Sequence, residues 1–297
     1  MRRQEWVALA FLAPALLLLC VFTFYPILCG VGLAFFDFSL LRHTPEGHLA
    51  PPVFVGLKNF MRLWADPYFW KALANSILYL AVVPIIQFAS IILAVLVNQP
   101  IRGRNVFRTA YYIPVITSVV IVGITWRWVL RSDGLANYLL TRLGFERVDW
   151  LTDPGIALFS VMFVTLWQGL GYYMILYLAG LQTISPELEE AARLDGANAW
   201  QVLTRITIPL LRPTVALCTI ISCISALKVF GEIFIMTPDG GPEYSTLTMV
   251  YYIYTRAFED FDMGYSAAVA LVLAGVVAVI SLINVRYFRE GGLSSYY

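Results

Sequence analysis

Charge is what this 297-residue sequence has least of. Only 13% of its residues are Asp, Glu, Lys or Arg, against 60% hydrophobic ones, and its mean hydropathy is +0.74. A soluble protein of this size with that balance would expose large apolar patches, so the chain belongs in a bilayer. The net charge of +1 offers no basic surface for a nucleic acid. Cysteine is equally sparse. Cys20, Cys29, Cys218 and Cys223 all fall in apolar runs, which excludes an extracellular disulfide framework and leaves them as small packing residues. The two histidines, His43 and His48, share one polar segment and make no case for a metal site, and no His, Asp or Cys constellation marks an enzyme. A G-x-x-x-x-G-K-S/T phosphate loop is absent, so ATP has no site of the usual kind here. Internal repeats, low-complexity tracts and Pro/Ser-rich linkers are also missing.

What the sequence does have is long apolar runs. A helix needs about 20 apolar residues to cross the hydrocarbon core. Six runs approach that length: Trp6 to Phe36, Ala72 to Pro100, Thr109 to Trp126, Gly155 to Pro186, Pro213 to Leu227 and Met263 to Val285. The fifth extends to Met236 if Lys228 and Glu232 are tolerated. The first follows Arg2 and Arg3 but is longer than a signal core, and reads as a retained span. Cys20 follows leucines rather than the small residues of a lipoprotein site. The expected fold is therefore all-α: a polytopic membrane protein with six transmembrane helices. Ten Arg side chains fall in the shorter alternate segments (Arg2, Arg3, Arg102, Arg104, Arg108, Arg193, Arg205, Arg212, Arg286, Arg289) and eight Lys or Arg in the longer ones. That density places both termini inside. Residues 1–71 hold the first helix and an outer loop, 72–290 five helices, and 291–297 an inner tail. The outer segments Asp37 to Lys71, Arg131 to Pro154 and Thr237 to Asp262 are long enough to form structure of their own.

Between the fourth and fifth runs lies a polar insertion on the inner side, Ser185 to Pro213. Ser185 suits an N-cap and Pro186 the first helical position. Glu187, Glu189 and Glu190 complement the positive end of the helix dipole. Gly196 can take the left-handed conformation that ends a helix. A second short helix is expected from Ala197 to Thr207, stopped by Pro209 and again by Pro213. Two short helices in a turn can enter a partner's groove or lie on lipid; residue grammar alone leaves both open.

Three clusters within this insertion, Glu190-Ala191-Ala192, Asp195-Gly196-Ala197, and Ile206, Ile208 and Pro209, resemble the EAA motif of permease subunits of binding-protein-dependent ABC importers. Leu203 stands where many sugar permeases have Phe. The stretches FVGLKNF, RNVFRTAYYIP, LAGLQTISPELEEAA and TPDGGPEYST resemble the maltose-permease branch, with Asp239 in place of a common Gly. The ending Gly291 to Tyr297 lacks the Lys-Gly of the companion subunit, so the chain resembles the first of a two-permease pair. The resemblance implies a non-catalytic subunit in a bacterial or archaeal cytoplasmic (inner) membrane. Its implied partners are a second permease subunit, an ATPase subunit dimer, an extracytoplasmic solute-binding protein and a sugar substrate, besides membrane lipid. ATP and Mg would be bound by the partner ATPase, with no cofactor in this chain. The ATPase-coupling residues would be Glu190, Ala191, Ala192, Asp195, Gly196, Ala197, Ile206 and Pro209. Monosaccharides, oligosaccharides and glycerol phosphate are all compatible with the sequence.

Ionisable groups inside a membrane are costly, so Lys228 and Glu232, four apart and expected on one helical face, are candidates for a polar path or an ion pair between helices. The fourth run carries Trp167, Gln168, Gly169, Gly171, Tyr172 and Tyr173. These can stack on and hydrogen-bond a sugar, or simply glue helices together. Gln168, Tyr172, Tyr173, Lys228 and Glu232 are the candidate substrate-path residues. Tyr251, Tyr252 and Tyr254 read as an interfacial belt. The rival reading is an ion- or proton-coupled secondary transporter with Glu232 as its coupling carboxylate, although the repeats usual in that class are absent.

Overall fold

The structure, a computed structural model, describes residues 2–45, 47–100 and 102–290. The expected tail 291–297 lies outside the described residues. Among the described residues five helices are long and apolar enough to cross a bilayer: Phe11–Leu33, Pro67–Asn98, Ala157–Leu181, Arg212–Met236 and Met263–Phe288. The third expected span is different. It is a helix pair, Arg104–Ile116 and Val119–Val129, bent by 97°. The straight helix expected over Thr109 to Trp126 is thus broken in its middle, where two β-branched or hydroxyl residues, Thr117 and Ser118, take extended backbone. Pro114 removes one helical donor just before the break, and the Ser118 side chain accepts the Val120 N–H to start the next helix.

The chain divides into two compact units. The first comprises the chain up to Phe69 with Tyr252–Ala274. Its span Phe11–Leu33 has no buried residue within the chain, so Cys20 and Cys29 are exposed rather than packed. A short antiparallel hairpin follows, pairing Phe36 with Phe54 and Asp37 with Val53. The Asn59 amide ties the next helix, Lys58–Ala65, to the carbonyls of Ala34 and Phe36, each at 2.9 Å. Gly264 packs so closely on this turn that a Cβ there would sit 2.1 Å from the Phe36 carbonyl oxygen. Asp66 accepts hydrogen bonds from the hydroxyls of Tyr252 and of Tyr265, the latter at 2.6 Å. Arg256 lies over the Tyr252 ring and pairs with Asp260 at 2.6 Å. Burial opposes ionisation of Asp66, but the two hydroxyls, the Tyr68 N–H and the Arg256 charge together hold its carboxyl below the usual value. Burial, reinforced by Asp66, pushes the Tyr252 phenol up to about 12. Tyr252 is therefore a buried hydrogen-bond donor and not a belt residue.

The second unit, Trp70–Tyr251 with the chain from Gly275 on, is organised around the helix Ala157–Leu181. That helix is apolar on all sides, both where it packs on its neighbours and where Phe159 and Phe163 are exposed. It packs mainly against Val82–Asn98 and Arg104–Ile116. Gly171 permits this approach, since a Cβ there would sit 2.0 Å from the Tyr111 carbonyl oxygen. Cys218 and Cys223 are buried here as packing residues. The segment 131–154 folds about the buried Asn137. Its amide donates to the Val148 carbonyl at 2.9 Å and its oxygen accepts from the Val148 N–H and the Trp150 indole.

Candidate translocation cavity and coupling loop

Helices that pack tightly elsewhere leave a cavity of about 590 Å³ between Ala157–Leu181, Val82–Asn98 and the Arg212–Met236 span. All five candidate substrate-path residues, Gln168, Tyr172, Tyr173, Lys228 and Glu232, line it. Three lie on Ala157–Leu181, where the four-residue spacing puts Gln168 and Tyr172 on one face and Tyr173 lies about 100° round the helix from Tyr172. The other two reach it by a route the spacing did not predict. The helix Arg212–Leu227 ends at Lys228, Phe230 departs to φ −145° and ψ −55°, and a new helix, Gly231–Met236, carries Glu232 in its first turn. Lys228 and Glu232 therefore do not share a helical face. The break frees main-chain groups, and one of them, the Val229 carbonyl, accepts the Thr248 hydroxyl at 3.2 Å.

The cavity wall is hydroxyl-rich. Tyr79 and Thr165 share a hydrogen bond of 2.6 Å, and Ser222 and Ser225 also face the space. Behind them Gln87 is buried, accepting from Tyr177 at 2.5 Å and donating to Ser222 at 2.8 Å and to the Cys218 carbonyl at 3.2 Å. The third span contributes main chain. The Gln168 amide donates to the Thr117 carbonyl at 3.3 Å, at the 97° bend. Trp167 is not part of the lining; it stacks edge-to-face on Trp126 with centroids 5.4 Å apart. Tyr79, Gln87 and Thr165 were missed by sequence reasoning, although a lone amide in the run PIIQFASII was a usable signal for Gln87.

In the same unit the segment Pro238–Tyr244 is tightly coiled. Asp239, Gly240, Gly241, Glu243 and Tyr244 all have positive φ, between 52° and 77°. Asp239, standing where the resemblance leads one to expect Gly, takes φ 60°, a conformation open to a short polar side chain. Its N–H is held by the Tyr251 hydroxyl at 2.8 Å, and the Lys71 ammonium donates to the Glu243 carbonyl at 2.5 Å. Tyr251 is thus a buried bracket for this loop and not a belt residue.

The insertion between the fourth and fifth spans forms the expected pair of short helices. The first is Pro186–Leu194, with Ser185 before it in extended backbone but making no side-chain cap. It closes in a Schellman motif: Ala197 N–H bonds Ala192 O at 2.9 Å, Gly196 N–H bonds Arg193 O at 3.1 Å, and Gly196 has φ 88°. The second differs from expectation. It starts at Ala199, not Ala197, because Asn198 and Gln201 form a reciprocal capping box. Proline does not stop it. Ala199–Val202 runs into a wider π turn, Leu203–Thr207, and on through Ile208–Leu210, with Pro209 accommodated at the start of that last turn. The π turn places Thr207 to donate to Glu189 at 3.1 Å, binding the two helices together. Of the candidate coupling residues Glu190, Ala191, Asp195 and Gly196 are exposed, and Ala192, Ala197, Ile206 and Pro209 are half-buried. Leu194 and Trp200, which sequence reasoning did not single out, are 88% and 65% exposed beside them.

The chain belongs to the family of binding-protein-dependent transport system inner membrane components, which matches residues 86–289. It is 37% identical over 286 residues to a lactose transport system permease protein of Rhizobium radiobacter, covering 94% of this chain and 93% of that one. It is 33% identical to an arabinooligosaccharides transport system permease protein of Bacillus subtilis, covering 93% and 86%. Among solved structures it superposes on a chain of a bacterial ABC transporter involved in the import of the acidic polysaccharide alginate. The TM-score is 0.82 at 27% identity, over 97% of this chain and 96% of that one. A chain of a bacterial alginate ABC transporter in complex with alginate pentasaccharide-bound periplasmic protein gives a TM-score of 0.80 at 27% identity, over 95% of this chain and 93% of that one.

Proposed function

We propose that this chain is one of two permease subunits of an ATP-driven importer, and that it passes a sugar, delivered by an extracytoplasmic binding protein, through the cavity between Gln168 and Glu232. The observation that supports it most directly is the capped helical pair between Ser185 and Leu211. It is held rigid internally yet leaves Leu194 and Trp200 uncovered, as a surface meant for a partner would be. A phosphate loop is lacking in this sequence, so the energy comes from a separate ATPase dimer that binds ATP and Mg. The ATPases close on ATP, their movement reaches the membrane helices through Glu190, Ala191, Ala192, Asp195, Gly196, Ala197, Ile206 and Pro209, and the permeases rock between inward and outward access. Both termini lie on the ATPase side. The cavity suits a sugar because aromatic faces at Tyr172 and Tyr173 stand beside hydroxyl and amide partners at Thr165, Gln168 and Ser222.

The test is an assembled complex in liposomes. Glu190→Lys is expected to abolish sugar-stimulated ATP hydrolysis while leaving membrane insertion intact. Undiminished stimulation in that variant would refute the coupling role. Uptake by the isolated chain on a proton gradient would refute the importer reading altogether.

A further inference from the structure

The helix Lys58–Ala65 in the first unit has one buried face and, opposite it, an apolar face that is largely exposed. Asn59 and Leu63 are 2% and 3% exposed, and the Asn59 amide holds the carbonyls that close the preceding turn. On the opposite side Leu57, Met61 and Trp64 are 62%, 66% and 75% exposed. At 100° per residue these three fall within one narrow stripe, about half a turn from Asn59 and Leu63. Lys58 and Arg62 lie on one flank of the stripe, both exposed. A helix facing water would carry its polar residues where this one carries Leu, Met and Trp.

The chain itself says what covers the stripe. One residue, Asp66, separates this helix from Pro67, where a 32-residue membrane span begins. A segment that close to the start of a span lies at the level of the membrane surface. There, Trp and long apolar side chains settle among headgroups and Lys or Arg stays at the edge. Tyr68, exposed in the first turn of the span, carries the aromatic character across the junction.

We infer that Lys58–Ala65 is an interfacial helix, seated on the leaflet at which the span Pro67–Asn98 begins, with Leu57, Met61 and Trp64 among the lipid headgroups. Its packed side makes this more than an anchor. Arg62 pairs with Asp262 at 3.0 Å and lies 4.6 Å from the centre of the Tyr265 ring. Asp262 immediately precedes the last long helix, Met263–Glu290. A helix held at the bilayer surface thus sets the height of the start of the last span. This inference needs only that the chain spans a membrane, and it stands or falls separately from the importer reading.

The experiment places the photoreactive residue p-benzoylphenylalanine at Met61, at Trp64 and, as a comparison, at the exposed loop residue His48, in the full chain in its native membrane. Irradiation is followed by mass analysis of the purified chain. The expected result is phospholipid adducts at 61 and 64 several-fold more abundant than at 48. Adducts to another protein at 61 and 64, or lipid adducts no more abundant than at 48, would overturn the inference. A second variant, Trp64→Glu, is expected to insert normally and to lose the adduct at 61; an undiminished adduct there would overturn it equally.

Discussion

Between Ser185 and Leu211 the backbone is held by its neighbours in sequence. Asn198 and Gln201 cap each other, and Gly196 turns the chain with bonds that reach back no further than Ala192. Around the cavity the partners are remote. Tyr79 meets Thr165 across 86 positions, Gln87 meets Tyr177 across 90, and Gln87 meets Ser222 across 135. A joint that must keep its shape while being pushed can be made of local turns, whereas a path between helices exists only once the helices have assembled. The two regions therefore fail differently when altered, and that difference can be measured.

The largest effect is expected from Gly171→Ala. Its Cβ would collide with the Tyr111 carbonyl at 2.0 Å, and main chain cannot swing aside. A loss of about 3 kcal/mol or more, read as a collapse of thermal stability in detergent, follows from overpacking at such a contact. An unchanged melting temperature would show that the close approach around the cavity is not needed. Next comes Gln87→Leu, which leaves the Tyr177 hydroxyl without its acceptor. Destabilisation of about 1–2 kcal/mol is expected, lower than for a water-soluble core because a membrane offers substitute partners. Smaller again is Asn198→Ala. Loss of the cap costs about 1 kcal/mol in the short helix alone. Sugar-stimulated ATP hydrolysis should fall while the melting temperature of the chain holds; the reverse pattern would erase the contrast between the two regions.

The smallest effect concerns the first unit. Asp66 has its carboxyl held below its ordinary value, so the stability it contributes is fully present above the unfolded carboxylate range and is lost as the pH falls through the lowered value. The wild-type chain should therefore lose stability on acidification, and Asp66→Asn should flatten that dependence below pH ~4 while lowering stability slightly at neutral pH. An identical acid profile in both would remove Asp66 from the account.

These contrasts also explain what could be read in advance. The first coupling helix and its Gly196 ending were legible because Pro186, the glutamates and Gly196 act within a turn of where they stand. The start of the second helix was misplaced by two residues because Ala197 and Ala199 look alike until the Asn198–Gln201 pair is noticed. The run from Thr109 to Trp126 looked like one crossing because apolarity reports burial and not direction, and only Pro114, Thr117 and Ser118 hinted at a bend. Lys228 and Glu232 both line the cavity but not on the one helical face expected of them, since a helix period was carried through a break. Tyr251 and Tyr252 were misread because a tyrosine at an interface and a tyrosine holding Asp239 or Asp66 have the same letter.

The bend at Thr117 has a bearing on how this protein should be probed. Gln168 meets the third span not at a side chain but at the Thr117 carbonyl, and Val229 offers another carbonyl where the fifth span breaks. Part of the hydrogen bonding beside the cavity is therefore supplied by peptide groups, which every residue possesses. Substituting Thr117 or Val229 one at a time would leave those oxygens in place, and an alanine scan would pass over them without a signal. Replacing single amides by esters at Ser118 and Phe230, which weakens the carbonyls of Thr117 and Val229, would reach what such a scan leaves untouched.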